Sequence, residues 1–336
     1  MTDRPIPVAV IGAGAFGRNH IRVLSHMSEV ELAAIVDTDL DRAAKIAADC
    51  GSQAFASIED VPRAIEAAIV ATPTTTHKVV VEHLLTSGID VLVEKPVATT
   101  AGEGRQMADL ADARGRILQV GHLERFNPAV MALEKALTVP LFFEVHRLSV
   151  FTPRSLDVDV ILDLMIHDLD IVLTFTQELP NELRAAGISV LSDKVDIANV
   201  RLAFPSGCIA NLTASRVSTE RVRKLRVFQP GEYVSVDYHK QEAIRLAILR
   251  NELRAANGFD FSNAEIGFER LPVERGEPLE RELASFFHCV RTREKPRVDA
   301  RQASAALSIA EALLAKIKEH GDLVKETVRR RSASKA

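Results

Sequence analysis

The 336-residue chain has only three cysteines, Cys50, Cys208 and Cys289, widely separated and without a Cys-x-x-Cys spacing. Neither a disulfide framework nor a cysteine-built zinc site follows from such a pattern. A charge excess of either sign is also missing, with 42 Lys and Arg against 46 Asp and Glu and a formal net charge of −4. Lacking a field that would draw a nucleic-acid backbone or an anionic membrane surface, the chain is expected to meet a small molecule. No apolar stretch reaches the roughly 20 residues that span a bilayer. The opening Met1-Thr2-Asp3-Arg4-Pro5 has neither the apolar core nor the small-residue cleavage site of a signal peptide, so the expected location is the cytoplasm. Internal repeats and low-complexity tracts are absent too. The one basic run, Arg329-Arg330-Arg331, follows the last apolar-periodic segment and reads as a polar tail over residues 326–336.

What is present points to two domains. With 47% hydrophobic and 26% charged residues, the composition is that of a globular chain. Val8 to Ile11, Leu32 to Val36, Ala68 to Ala71, Val91 to Val93 and Ile117 to Val120 are short, wholly apolar runs, which is how parallel strands covered on both faces read. Amphipathic segments separate them, such as Thr76 to Ser87 with Gly88 as its C-terminal cap. The spacing predicts a doubly wound parallel sheet over residues 1–125.

Beyond about Asn127 the pattern turns β-rich, in Phe142 to Phe151, Ile197 to Phe204, Cys208 to Ser215, Leu225 to Phe228 and Tyr233 to Tyr238. Pro205-Ser206-Gly207 and Pro230-Gly231 are turn signals between runs too close for crossover helices. An α+β domain over residues 126–325 is expected, with a large, open, mainly antiparallel sheet. It includes one helix near Asp159 to Phe175 and a closing helical pair, Leu279 to Val290 and Ala300 to His320. The face of that sheet left bare by helices predicts a homodimer or homotetramer.

Gly12, Gly14 and Gly17 form Gly-x-Gly-x-x-Gly, enclosing Ala15 and Phe16, directly after the first strand and before a helix. The first glycine permits a tight turn, the second lets a pyrophosphate approach the backbone, and the third lets helix and strand pack closely. Asp37 closes the second strand 20 residues after Gly17, where its carboxylate accepts from adenosine ribose hydroxyls and repels a 2′-phosphate. NAD is therefore the expected cofactor, in a Rossmann domain, with a dual preference if Arg42 reaches back to Asp37. Three further segments end strands of this sheet, where doubly wound folds bind ligands. They hold Thr72, Pro73 and His77, then Glu94-Lys95-Pro96, then His122 to Pro128 with Arg125 and Asn127. Singly, each has a plainer reading, Lys95 as a solvated lysine and His77 as a helix-start residue.

On a helix, Asp163 and His167 are four apart and share a face, so the carboxylate could orient the imidazole for acid–base work. A satisfied structural histidine is the alternative. The carboxylates and histidines show no ligand spacing, so no metal is expected.

Together, the glycine turn, Ala71-Thr72-Pro73 with His77, Glu94-Lys95-Pro96, and Asp163 with His167 and Asp170 resemble the Gfo/Idh/MocA oxidoreductases in order and spacing over essentially the whole chain. The resemblance implies that Lys95 and His167 approach the substrate hydroxyl and the nicotinamide, with Asp163 completing the group. Gly121 to Pro128, Asp163 to Asp168 and Ala214-Ser215-Arg216-Val217-Ser218 are in turn similar to the bacterial UDP-N-acetylglucosamine 3-dehydrogenases. That likeness implies a UDP-sugar whose diphosphate needs cations from the second domain, for which Arg147, Arg154, Arg216, Arg221 and Arg223 stand in the right region. Arg125 is expected at both cofactor and substrate, and Asn127, Arg154 and Arg216 at the substrate. A dehydrogenase of a free sugar or inositol, and a non-catalytic NAD-bound regulator, are the alternatives.

Overall fold

The computed structural model describes residues 4–61, 65–152, 158–248 and 266–333. They form two compact units. The first is built on β1 (Ile6–Ile11), β2 (Val30–Val36), β3 (Gln53–Phe55), β4 (Ala67–Val70), β5 (Asp90–Glu94) and β6 (Leu118–Gly121). All pair in parallel in the order β3-β2-β1-β4-β5-β6. Strands β1 and β4 are buried along their whole length, which explains why they are apolar at every position rather than alternating. Helices α1 (Ala15–Leu24), α2 (Leu40–Cys50), α3 (Thr74–Thr86) and α4 (Ala101–Arg114) are the crossovers. Reciprocal bonds between Thr100 and Glu103 cap α4, while Gly88, at φ +80°, follows the end of α3 as expected. The expected parallel domain is thus present, with the short β3 added.

The domain boundary differs from a simple split near residue 125. Residues 277–308 return to the first unit, where Leu283, Phe286 and Phe287 of helix α7 (Pro278–Thr292) are at most 1% exposed in a core shared with Ile21, Leu24 and Ile35. The amphipathic pattern of α7 announces a buried stripe, but not which sheet that stripe covers.

The second unit comprises residues 127–276 and 309–336. It begins with α5 (Pro128–Ala136) and β7 (Phe142–Val150), then a π-helical turn over Ile161–Met165 that runs into α6 (Ile166–Thr176). After these come β8 (Glu182–Ile188), β9 (Ile197–Ala203), β10 (Ile209–Ser218), β11 (Val222–Gln229), β12 (Glu232–Asp237), β13 (Glu242–Ile248) and β14 (Ile266–Arg270). Their order is β14-β13-β12-β11-β7-β10-β9-β8, with β7 and β10 parallel and every other pair antiparallel. Gly207 and Gly231, at φ +87° and +76°, make the two expected hairpin turns. Alternation is strict on β7, where Phe143, Val145 and Arg147 are buried and the residues between them are half-exposed. The buried face packs on α5, α6 and the middle of α8 (Ala300–Ala333), through Ile309, Ala310, Leu313 and Ile317. Helix α8 continues to Ala333, into the segment expected as a polar tail, and Glu326 pairs with Arg330 one turn on at 2.8 Å. No helix among the described residues is long and apolar enough to cross a membrane.

Candidate active site

In the first unit the glycine turn works position by position. Gly12 has φ +96°, and a Cβ there would lie 2.6 Å from the Ala71 carbonyl oxygen. A Cβ at Gly17 would lie 1.8 Å from the Gly12 oxygen, so β1 and α1 approach closely only because this residue has none. At Gly14 a Cβ would meet nothing within 4 Å, which leaves the N-terminus of α1 open to a phosphate. The Asp37 carboxylate is fixed against this turn, accepting from the Ala13 N–H at 2.7 Å and the Asp39 N–H at 2.9 Å.

Arg42 does reach back, its guanidinium standing 2.5 and 3.2 Å from the two Asp37 oxygens. Burial opposes ionisation of Asp37, but Arg42 and the two backbone N–H groups hold its carboxyl below the usual range.

A cleft of about 810 Å³ runs from this turn along the C-terminal ends of the strands, past Phe16, Asp37, Thr72 and Pro73 to Glu94 and Lys95. Its size and lining fit a dinucleotide held through phosphate and ribose. The opposite wall brings Ile58, Val79 and His83, which no strand-end motif announces. A larger groove of about 1080 Å³ between α1 and α2 is lined by none of the expected site residues.

His77 is buried, with Nδ1 3.0 Å from the Pro96 oxygen and Nε2 3.0 Å from the Thr72 oxygen, so it ties the end of β4 to the cis Lys95–Pro96 peptide. Burial lowers its pKa despite these two carbonyls. Its place is behind the cleft wall, as a brace for Thr72 and Lys95. Arg125 is likewise buried, donating to the Arg297 carbonyl at 3.3 Å, while Arg297 donates back to the Arg125 carbonyl at 3.1 Å.

In the second unit, Asp163 lies in the π-helical turn and His167 in the first turn of α6, both half-buried. The Ile166 N–H reaches the Ile161 carbonyl, five residues back, so a π-turn interrupts the regular helix expected to carry Asp163 and His167. Such insertions are common at functional sites. The start of α6 is pinned from below, as Asp168 receives Arg147 Nε and Nη2 at 2.7 and 2.8 Å and the Tyr238 hydroxyl at 3.3 Å. Arg147 also stacks 5.1 Å from the centre of the Tyr238 ring. Asp170 is buried on the same helix.

Two residues expected at the substrate are buried and make internal contacts. Arg216 is 6% exposed and spends its guanidinium on Asp196 at 3.4 Å and on the Val158 and Val195 carbonyls. Asn127 caps α5 through the Ala129 N–H and donates to the Tyr238 carbonyl at 3.1 Å. Both side chains are turned inward, Asn127 onto the start of α5 and Arg216 onto the carbonyls and the carboxylate of the loop before β9. Arg154 lies outside the described residues. Among the described residues no group of three or more His, Cys, Asp and Glu side chains could hold a metal.

Residues 6–122 match the model of an oxidoreductase family with an NAD-binding Rossmann fold, and residues 142–229 match the C-terminal domain model of the same GFO/IDH/MocA group. A UDP-N-acetylglucosamine 3-dehydrogenase of Acidithiobacillus ferrooxidans is 39% identical over 68% of this chain and 73% of its own. The chain belongs to the Gfo/Idh/MocA family of oxidoreductases. A crystal structure of that dehydrogenase superposes with a TM-score of 0.85 over 94% of this chain and 98% of the other, at 31% identity. An inositol 2-dehydrogenase of Leifsonia xyli is 34% identical over 51% of this chain and 54% of its own.

As in a Gfo/Idh/MocA oxidoreductase, the Rossmann unit here binds NAD. Arg147, expected among the cations for a diphosphate, is instead buried and paired with Asp168, and that pairing and the part of Tyr238 in it escaped the sequence reading. A bidentate buried pair between a strand and a distant helix has no local spacing, and only the odd charge at an inward strand position, Arg147 between Val145 and Leu148, could have signalled it.

Proposed function

We propose that this chain is a cytoplasmic, NAD-dependent dehydrogenase that oxidises a secondary hydroxyl of a nucleotide sugar, C3 of UDP-N-acetylglucosamine, to the ketone. The observation that carries the reading is the 39% identity to a dehydrogenase of that substrate, which extends across residues of both units. NAD, when bound, accepts the hydride. The proton and the charge fall to the protein, because a secondary alcohol holds its proton far above neutral pH and a cation must stabilise the alkoxide that develops. Lys95 and His167 are the residues we assign to these tasks, with Asp163 supporting His167. The same reading gives the open face of the second sheet to another copy of this chain.

The test incubates the protein with NAD and UDP-N-acetylglucosamine, and separately with free N-acetylglucosamine, glucose and inositol, while trapping the ketone. Turnover of the nucleotide sugar is expected. Turnover of inositol or a free sugar alone would instead place the chain with its inositol-dehydrogenase relatives. Lys95→Ala and His167→Ala should each lower turnover by roughly 10²-fold or more with NAD affinity nearly intact. Near-normal turnover in either variant removes that residue from the mechanism.

A further inference from the structure

The C-terminal end of β5 covers a buried polar cluster that the chemistry above does not use. Glu94 Oε1 lies 2.7 Å from Nε2 of His20 on α1, and Oε2 lies 3.3 Å from the Lys95 backbone N–H. His20 and Glu282, the latter on α7, are each 1% exposed. Nδ1 of His20 and Oε1 of Glu282 have no hydrogen-bond partner. Gly121 on β6 makes room for the carboxylate, since a Cβ there would stand 3.1 Å from Glu94 Oε2. Elements α1, β5, β6 and α7 of one unit therefore enclose a histidine and two acids beside an apolar core, with the buried Gln119 of β6 donating to the Glu282 carbonyl at 3.1 Å. Buried polar groups left half-satisfied cost stability, and well-packed apolar side chains in their place would be neutral or better. Packing alone does not account for the trio.

We propose that His20 is a positioning residue for Lys95, acting through Glu94, and that Glu282 closes the far side of the same pocket. This rests on Lys95 acting at the substrate, as argued above. The titratable groups facing Glu94 are His20 from α1, Glu282 from α7, His77 from α3 and Lys95 on its own turn. Burial pushes the Glu94 carboxyl up, but the His20 contact and the neighbouring Lys95 charge outweigh it and hold the group below the usual range. Burial, and then the nearby Glu94, drive the Glu282 carboxyl well above its ordinary value, so it holds its proton while Glu94 does not. The pocket thus carries one carboxylate, aimed by His20 at the Lys95 amide. That carboxylate fixes the backbone bearing the ammonium and supplies it with a counter-charge. Without the His20 donor, a carboxylate beside a second acid in an apolar pocket takes up a proton, and the Lys95 turn loses both.

The test compares His20→Leu, His20→Gln and Glu282→Gln with the unaltered protein. In His20→Leu, kcat should fall about tenfold or more with the KM for NAD within about twofold, and the pH limb governed by Lys95 should move down by roughly one unit. The limb moves that way whether Lys95 serves as base or as cation, since losing a neighbouring negative charge favours its neutral form. His20→Gln keeps an N–H that can reach the same oxygen, so it should restore most of kcat and return the limb. A structural role alone would leave the pH profile in place.

Glu282→Gln should raise the melting temperature at pH 8 and do so little at pH 5. A folded-state pKa above the unfolded 4.5 gives stability that is whole at low pH and lost as pH rises. Imidazole ¹⁵N spectra of the unaltered protein, read without any substrate, should show the hydrogen of His20 on Nε2. An unchanged pH profile in His20→Leu, or a hydrogen on Nδ1 alone, overturns the proposal. If the unaltered protein oxidises no sugar alcohol, the functional reading fails by itself, and the spectrum and the Glu282→Gln melting curves still decide the arrangement of the pocket.

Discussion

At Asp37 two demands meet on one carboxylate. It must accept from ribose hydroxyls, yet Arg42 already stands 2.5 Å from one of its oxygens. Asp37 is buried and held by two backbone N–H groups, whereas Arg42 comes from the exposed surface of α2, so the acid stays and the arginine is the group that gives way. NAD should therefore bind at least tenfold more tightly than NADP, a difference of about 1.4 kcal/mol, in calorimetric titration. Asp37→Ser should narrow the gap by removing the charge that repels a 2′-phosphate and leaving Arg42 to receive it. Equal affinities in the unaltered protein would show that Arg42 already does so. The sequence named both residues and left their contact open, since a side chain five positions along can fold back or point to solvent. The same freedom applies to Arg216 and Asn127. Each stands where a substrate contact was expected, and each is turned into the protein by backbone groups that composition does not reveal.

At the scale of elements, the β1–α1 turn separates folding from binding. Gly14→Ala should leave the melting temperature unchanged and weaken NAD binding tenfold or more, because its Cβ would point into open space where the phosphates approach. Gly17→Ala should lower the melting temperature, because its Cβ would collide with the Gly12 carbonyl. Reversed outcomes would mean that the turn does not face the cofactor. The loop before β9 makes a second case. Asp196 receives the Val190, Leu191 and Ser192 N–H groups at 2.6 to 3.0 Å and pairs with Arg216. Although its burial opposes this, the Ser192 hydroxyl and those N–H groups bring its pKa down to about 2. A folded value below the unfolded 3.8 gives stability that is present above pH 4 and lost as pH falls toward 2. Arg216→Ala, which removes the cation paired with this buried carboxylate, should destabilise by roughly 3 kcal/mol, and thermal melts at pH 7 would detect it. Unchanged melting with a raised sugar KM would return Arg216 to the substrate. Strands with apolar runs or clean alternation were legible, as were the glycine turns between them. Strands β8, β13 and β14 were not, because their half-exposed positions blur the period of two. The π-helical turn at Ile161–Met165 was illegible for a related reason, since one extra residue in a helix hardly alters a segment that is apolar at every position but Asp163.

The whole chain is not divided where its composition changes. Helix α7 follows the last strand of the second unit yet returns to complete the core of the first, so the two units are interleaved in sequence and neither is a contiguous piece. The sheet of the second unit is where assembly can be argued. Its inner face is covered by α5, α6 and α8, while the outer face presents Phe142, Phe228 and Tyr233, with ring centres 5.8 and 5.1 Å apart in succession. Phe228 is 38% exposed. Aromatic side chains on adjacent central strands, flanked by the Arg226–Glu144 pair at 2.8 Å, have the make-up of an interface core with a polar surround. Two such faces related by a two-fold axis can bury each other, and a stable pairing needs about 1,200–2,000 Å² in total. Light scattering should therefore give at least twice the 36.8 kDa of one chain at micromolar concentration. Phe228→Glu should return it to a single chain, since a carboxylate at the centre of the patch would be buried without a partner in every pair. A mass of one chain for the unaltered protein would overturn the assignment. A dimer that survives Phe228→Glu unchanged would move the contact to another surface.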